Sequence, residues 1–220
     1  MSPHAPGNGV DIVERVGFYR DQVVPRLVDW MLDTPDIGSW RSEVVAGLHG
    51  RVVEIGFGSG LNVEHYPAEV EAVLAVEPAP VARQLARKRI AACGVAVEHA
   101  GTDGQSMPIE DASCDTALST FTLCTVPDPA AALSEIFRVL RPGGSLHFLE
   151  HGISPDPRIA TWQRRLEPLQ RRVADGCHLT RDPATIVTRA GLQLARCDHA
   201  YADGPKPWTY FTLGVAEKPR

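Results

Sequence analysis

Residues 52–62 read VVEIGFGSGLN, a short apolar run that ends in glycines at 56, 58 and 60. A run rich in valine and isoleucine favours a strand. Glycine adopts positive φ and lets a ligand approach the main chain closely. A chain that turns this tightly after a strand, with free N–H groups where the next element begins, can meet a polar ligand there. This strand–turn unit constrains the fold more than any other stretch.

The pattern then repeats. Strands are expected at RVVEIGF (51–57), EAVLAVEP (71–78), VAVEHAG (95–101), within ASCDTALSTFTL (112–123) and at SLHFLEHG (145–152). Helices are expected at 79–94, ended by Gly94, and at 128–144, stopped by Pro142 and two glycines. Strands alternating with helices imply an α/β fold with a mostly parallel, Rossmann-like sheet covered by helices on both faces. Right-handed crossovers then bring the C-terminal ends of the parallel strands to one rim.

The ends of the chain differ from this middle. Residues 1–12 are rich in proline and glycine and read as loosely attached. In VERVGFYRDQVVPRLVDWMLD (13–33), apolar residues at Val16, Tyr19, Val23, Leu27 and Trp30 have helical spacing, with Pro25 expected to split or kink the helix. A second helix is expected to start at Ser39 as its N-cap and end near Gly47. Beyond the fifth strand, 156–177 reads as a helical region interrupted by Pro168. A short helix over 182–191 has Asp182 as its cap and Pro183 in its first turn. Residues 192–204 and 208–219 read as an antiparallel pair at the sheet edge. The expected division is a helical lid over 1–48 and a main domain over 49–220, with a helical substrate-cover insertion at about 154–190.

Composition narrows the partners. A formal charge of -5 on 220 residues argues against a nucleic-acid footprint. RKR at 87–89 reads as a solvated helix face. Five scattered cysteines (93, 114, 124, 177, 197), none in a CxxC pair, read as reduced thiols of a cytoplasmic protein. MSPHAPGNGV has no apolar core, so no signal peptide is expected. No apolar run reaches transmembrane length, which leaves peripheral membrane contact open. Monomer and homodimer are equally open.

Three ligands compete for the glycine turn. A P-loop needs a Gly-Lys-Ser/Thr ending, and this chain has Gly60, Leu61 and Asn62. A dinucleotide site would use Glu77, at the end of the second strand, to hold a ribose diol, but its glycine spacing is G-x-G-x-x-G. S-adenosylmethionine needs the same acidic residue and has no pyrophosphate, so the loop would cradle an amino-acid moiety. Glu54, before the turn, would hold the ammonium end or order the loop. A plain tight turn is the fourth reading.

VVEIGFGSG, AVEP and the run from SMPIEDASCDTALSTFTLCTVPD to EIFRVLRPGGSLHFLEH resemble the class I S-adenosylmethionine-dependent methyltransferases of the type 11 group, over about residues 50–152. The resemblance implies a seven-stranded sheet with an antiparallel last strand. It implies S-adenosylmethionine as cofactor and S-adenosylhomocysteine as product. It places Gly56, Phe57, Gly58, Gly60 and Asn62 along the methionyl part and Glu77 on the ribose. Pro78 and Ala79 would flank the adenine, with Asp103, Gly104 and Gln105 at its edge. Thr120, Phe121 and Thr122 would face the cofactor and the reacting atom. Phe57 stands where small residues or cysteine are commoner, and Gly104 replaces the usual alanine. LCTVPD, LEHG, TWQRRLEPLQRRVADGCHLTRD and the closing GVAEKP are also similar to the thiol S-methyltransferases of the mammalian methyltransferase-like group. That narrower likeness implies a small thiol acceptor. The mammalian members' apolar N-terminal segment has no counterpart here, so their anchoring is not carried over.

Methyl transfer from a sulfonium is an in-line displacement that rests on alignment and exclusion of water. A base is needed only where the nucleophile arrives protonated, and a thiol near pKa 8.5 needs modest help. His151 and Glu150, closing the fifth strand, are the expected catalytic pair; the bland alternative is a structural histidine paired with Glu150. Tyr19, Cys124, Trp162 and Arg181 are expected to line the substrate pocket. Cys177 and His178 have no metal partner at a recognisable spacing, so no metal is expected. The acceptor is thus a small molecule, a thiol first. The oxygen or nitrogen of a quinone, phenol or lipid headgroup, and a non-catalytic S-adenosylmethionine-binding protein, remain as alternatives.

Overall fold

A computed structural model describes residues 23–220. Among them are six α-helices and seven strands: α1 (Val24–Leu32), α2 (Pro35–Val45), β1 (Gly50–Ile55), β2 (Val70–Val76), α3 (Pro80–Ala92), β3 (Ala96–Gly101), β4 (Cys114–Thr120), α4 (Pro129–Val139), β5 (Leu140–His151), α5 (Pro157–Val173), α6 (Pro183–Arg189), β6 (Gln193–Tyr201) and β7 (Tyr210–Glu217). The sheet order is β3-β2-β1-β4-β5-β7-β6. β7 runs antiparallel to both β5 and β6, and the remaining neighbours pair in parallel. The expected antiparallel pair is therefore present, with β7 inserted between β5 and the edge strand β6.

Alternation along the strands sorts side chains into two cores. Val53, Ile55, Leu74, Val76, Leu146 and Phe148 pack against Leu133 and Ile136 of α4. Val52, Val73, Ala75 and Leu149 pack on the other face with Val44 and Val45 of α2 and Ala86 of α3. A parallel sheet covered on both faces needs such near-continuous apolar strands.

Four helices share one start. Thr34-Pro35, Asp128-Pro129, Asp156-Pro157 and Asp182-Pro183 each put an oxygen-bearing side chain on first-turn N–H groups, followed by a proline whose missing N–H costs nothing there. This corrects the expected start of α2. Thr34 caps it, and Ser39 lies inside, donating to the Asp36 carbonyl at 2.9 Å. Pro25 sits in the first turn of α1 as described; the rest of the helix expected over 13–33, with Val16 and Tyr19, lies outside the described residues.

Two further expectations change. α5 runs through Pro168 without a break. The proline withholds one N–H from the Arg164 carbonyl, and both residues are exposed, so water can take that place. β5 starts at Leu140, where the chain pairs with Cys114, skips across 141–144, and resumes with Ser145 opposite Thr116.

Candidate active site

The strand order reverses between β1 and β4, and a ligand cleft belongs at the carboxyl ends of the strands beside such a switch point. The carboxyl ends of β1, β4 and β5 and the loops after β1 to β4 supply most of the candidates gathered there.

Gly56 and Gly58 both have positive φ, at 65° and 59°. Their neighbourhoods differ. A Cβ on Gly56 would fall 1.9 Å from Thr122 Oγ1, so this glycine lets the loops after β1 and β4 touch. A Cβ on Gly58 would meet nothing nearer than the Gly56 carbonyl at 3.7 Å, so this glycine faces open space. Glu77, 6% exposed, ties the turn to the next loop. Its carboxylate accepts from Gly58 N–H and from Ala79 N–H, each at 2.7 Å. Burial raises its pKa, against the pull of those two amides. Pro78 beside it is exposed. Asp103 Oδ1 accepts from the Gln105 main chain at 2.8 Å, and Gln105 Oε1 accepts from Asp128 N–H at 2.9 Å, which fixes the loop after β3. Gly104 lies over Ile55.

Beneath the glycine turn runs a buried polar chain. Glu54 is fully buried and accepts from Asn62 Nδ2 at 2.7 Å and from the Tyr66 hydroxyl. Burial lifts its carboxyl to about 7, with the bonds from Tyr66 and Asn62 and the charge of Arg41 acting the other way. Arg41 Nη1 donates to Asn62 Oδ1 at 2.7 Å and to Thr120 Oγ1 at 3.3 Å. Burial brings Arg41 down to about 10, so it remains a cation at neutral pH. Among the described residues its Nε is buried without an acceptor. Sequence reasoning missed Arg41. The pattern was legible: Ile37, Arg41, Val44 and Val45 make the buried stripe of α2, and an arginine on an apolar stripe needs a reason.

The rim beside β4 and β5 is aromatic. Phe121, at φ 54°, meets His151 and Phe211 edge-on at 5.6 and 5.3 Å. Glu150 does not pair with His151. It is fully buried and accepts from Ser119 Oγ at 2.7 Å and from the amides of Thr122, Leu123 and Cys124 at 3.0–3.1 Å. It therefore shapes the loop after β4 from the interior of the fold. His151 instead places Nε2 3.1 Å from the Trp208 carbonyl and Nδ1 3.7 Å from both Cys124 Sγ and Cys177 Sγ. The hydrogen bond with Cys177 and burial hold the Cys124 thiol well above the usual range.

Two expected pocket residues are engaged in other contacts, and a third is not described. Trp162 is 55% exposed, with the Arg165 guanidinium over its ring. The buried face of α5 is Ala160 and Gln163, and Trp162 projects to the opposite side. Arg181 Nη1 donates to the carbonyls of Leu123 and Val126 and so braces the loop after β4. Tyr19 lies outside the described residues. RKR is not merely a solvated face either: Arg89 binds Asp29 of α1 at 2.9 Å and Asp33, just after it, at 3.2 Å, and Ser59 donates to Asp29, so α1 is fastened beside the glycine turn.

A carboxylate closing β2, a glycine turn after β1 and a cleft at the switch point define a nucleoside-binding α/β protein. A family model described as a methyltransferase domain matches residues 53–148. The thiol S-methyltransferase TMT1B of Rattus norvegicus is 37% identical over 171 residues, covering 74% of this chain and 66% of that protein. Its Mus musculus counterpart is 37% identical over 178 residues, covering 76% and 69%. The chain thus spans about two thirds of those relatives' length. A phosphatidylethanolamine N-methyltransferase of Cereibacter sphaeroides is 31% identical over 104 residues, 46% of this chain and 51% of that one. Among solved structures, a methyltransferase of Bacillus halodurans shares the fold at TM-score 0.67 and 17% identity, over 84% of this chain and 100% of that one. So does Haemonchus contortus phosphoethanolamine N-methyltransferase 2, solved with S-adenosylhomocysteine, at TM-score 0.68 and 16% identity, over 92% and 60%. The chain belongs to the class I S-adenosylmethionine-dependent methyltransferases. No helix among the described residues is long and apolar enough to cross a membrane.

Proposed function

We propose that this chain methylates a small thiol. The cofactor supplies the methyl group as a sulfonium substituent when bound. Three features support the fit of the cleft to it. Gly58 leaves its ligand-facing side open. Each oxygen of Glu77 keeps a lone pair beyond its amide bond, enough for a ribose diol. The unpaired Nε of Arg41 is the donor for a methionyl carboxylate. α1 is pinned to Ser59 through Asp29, which sets it beside the glycine turn.

The observation that carries the acceptor reading is the 37% identity to thiol S-methyltransferases over about three quarters of the chain. The acceptor end agrees with it. Phe121 and Phe211 set apolar ring edges against His151, and Glu150 is bound up by four donors. Such a wall suits a soft nucleophile that leaves water readily. Nitrogen methylation is the second reading, favoured by the phosphatidylethanolamine methyltransferase relative. A mass-spectrometric screen with S-adenosylmethionine against small thiols, phenols, quinols and amines tests both. A methylated alkyl thiol is the expected product. Thiols left inert beside a methylated amine would reject the thiol reading.

A further inference from the structure

Cys124, His151 and Cys177 are far apart in sequence and meet at one point. Cys124 follows β4, His151 ends β5 and Cys177 follows α5. The two sulfurs are 3.7 Å apart, and His151 Nδ1 is 3.7 Å from each. We propose that these three atoms form a binding site for one soft divalent cation of the zinc class. A tetrahedral zinc ion, with bonds of about 2.3 Å to sulfur and about 2.0 Å to nitrogen, holds its sulfurs about 3.8 Å apart and sulfur from nitrogen about 3.5 Å apart. The observed triangle matches those edges before any ion is added.

The histidine is set for the task independently. A carbonyl only accepts, so the contact from Nε2 to the Trp208 carbonyl, at 3.1 Å, places the ring hydrogen on Nε2. Nδ1 then turns its lone pair to the two sulfurs. A ligating histidine commonly donates its other N–H to a main-chain carbonyl in this way. The cysteines are held in place by their main chains. Cys124 N–H donates to Glu150 at 3.1 Å, its carbonyl accepts from His178 N–H at 2.8 Å, and Cys177 N–H donates to Ala174 at 2.9 Å. Both are buried, at 2% and 5% exposure. Metal binding releases the two thiol protons to water, and the ion with its two thiolates then carries no net charge until an acceptor thiolate joins it. Two sulfurs and an imidazole disfavour magnesium and calcium, which take oxygen ligands.

Three protein ligands leave a fourth position, the pattern of zinc sites that act on a bound molecule. The site lies on the strand rim where the acceptor must arrive. One clause of the inference rests on the thiol reading above: the fourth position takes the acceptor sulfur. The ion–sulfur bond forms as the S–H bond breaks, the proton leaves to water, and the acceptor stays as a bound thiolate.

The test uses the reduced, metal-stripped full chain titrated with Co(II), then Zn(II) retention after desalting measured by atomic emission. The expected result is one equivalent, with visible bands of tetrahedral cobalt and a near-ultraviolet thiolate-to-cobalt band. Cys177→Ser, checked for folding by circular dichroism, should weaken the thiolate band and lower zinc affinity by at least about 100-fold. Absence of tetrahedral cobalt bands in the folded wild-type chain would overturn the site and leave the thiol reading to the methylation screen. Adding a small alkyl thiol to the cobalt protein should shift the bands. Unshifted bands in a protein that methylates that thiol would remove the acceptor clause and keep the metal site.

Discussion

Glu77 joins Gly58 to Ala79: one carboxylate accepts both amides at 2.7 Å, across the loops that follow β1 and β2. The residue proposed to hold the ribose is thus also the residue that sets the shape of the glycine turn. Hydrogen bonds to a charged group contribute about 1.5–3 kcal/mol each. Glu77→Ala should therefore lower both melting temperature and cofactor affinity, the latter by about 100-fold or more, and adenosine should lose affinity alongside S-adenosylmethionine. Calorimetry and thermal melts check it; unchanged adenosine binding would refute the ribose role.

Arg41 should act on the other end of the cofactor. Arg41→Met removes the buried cation and its unpaired Nε while keeping apolar volume on α2. Affinity for S-adenosylmethionine and S-adenosylhomocysteine should fall by about 10- to 100-fold, the scale of a lost charge-assisted bond. Adenosine, which lacks the carboxylate, should bind as before. Equal losses for all three ligands in calorimetry would mean that Arg41 only supports the loop.

The glycines at 56 and 58 should separate fold from ligand. Alanine at either position strains a positive φ at roughly 1 kcal/mol. Only Gly56→Ala also drives a methyl into Thr122, so urea unfolding should show a loss of more than about 2 kcal/mol for it. Gly58→Ala should melt near the wild type and bind S-adenosylmethionine more weakly. A reversed order would contradict the assignment of the open side of the turn.

Glu54 should make stability depend on pH. Its carboxyl is near 4.5 when unfolded and about 7 in the fold. Between those values the native state binds the extra proton, so stability falls as pH rises. The contribution is complete below about 4.5 and gone above about 7, a difference of about 3 kcal/mol. Glu54→Gln should flatten the unfolding free energy measured across this window. A wild-type curve that rises with pH over the same range would show that Glu54 stays ionised.

The order of strands and helices was legible because it rests on local chemistry. Valine-rich runs, glycine turns and polar–proline helix starts act within a few residues, and they were sufficient to locate Glu77 and the glycine turn. Ser39 was a plausible cap on the same grounds, and Thr34 displaced it because Pro35 fixes the first turn five residues earlier. What only the tertiary structure decided is which distant side chains share one site. Arg41 reaches Asn62 and Thr120 because α2 packs on the sheet over β5 and β7. Cys124 and Cys177, 53 positions apart, touch because the bracing of the loop after β4 by Arg181 and Glu150 brings it against the end of α5. Trp162 faces away because Gln163 takes the inner face of α5. Local sequence sets each backbone turn, whereas packing across the sheet sets which buried polar groups must find one another, and that choice depends on contacts no single segment contains.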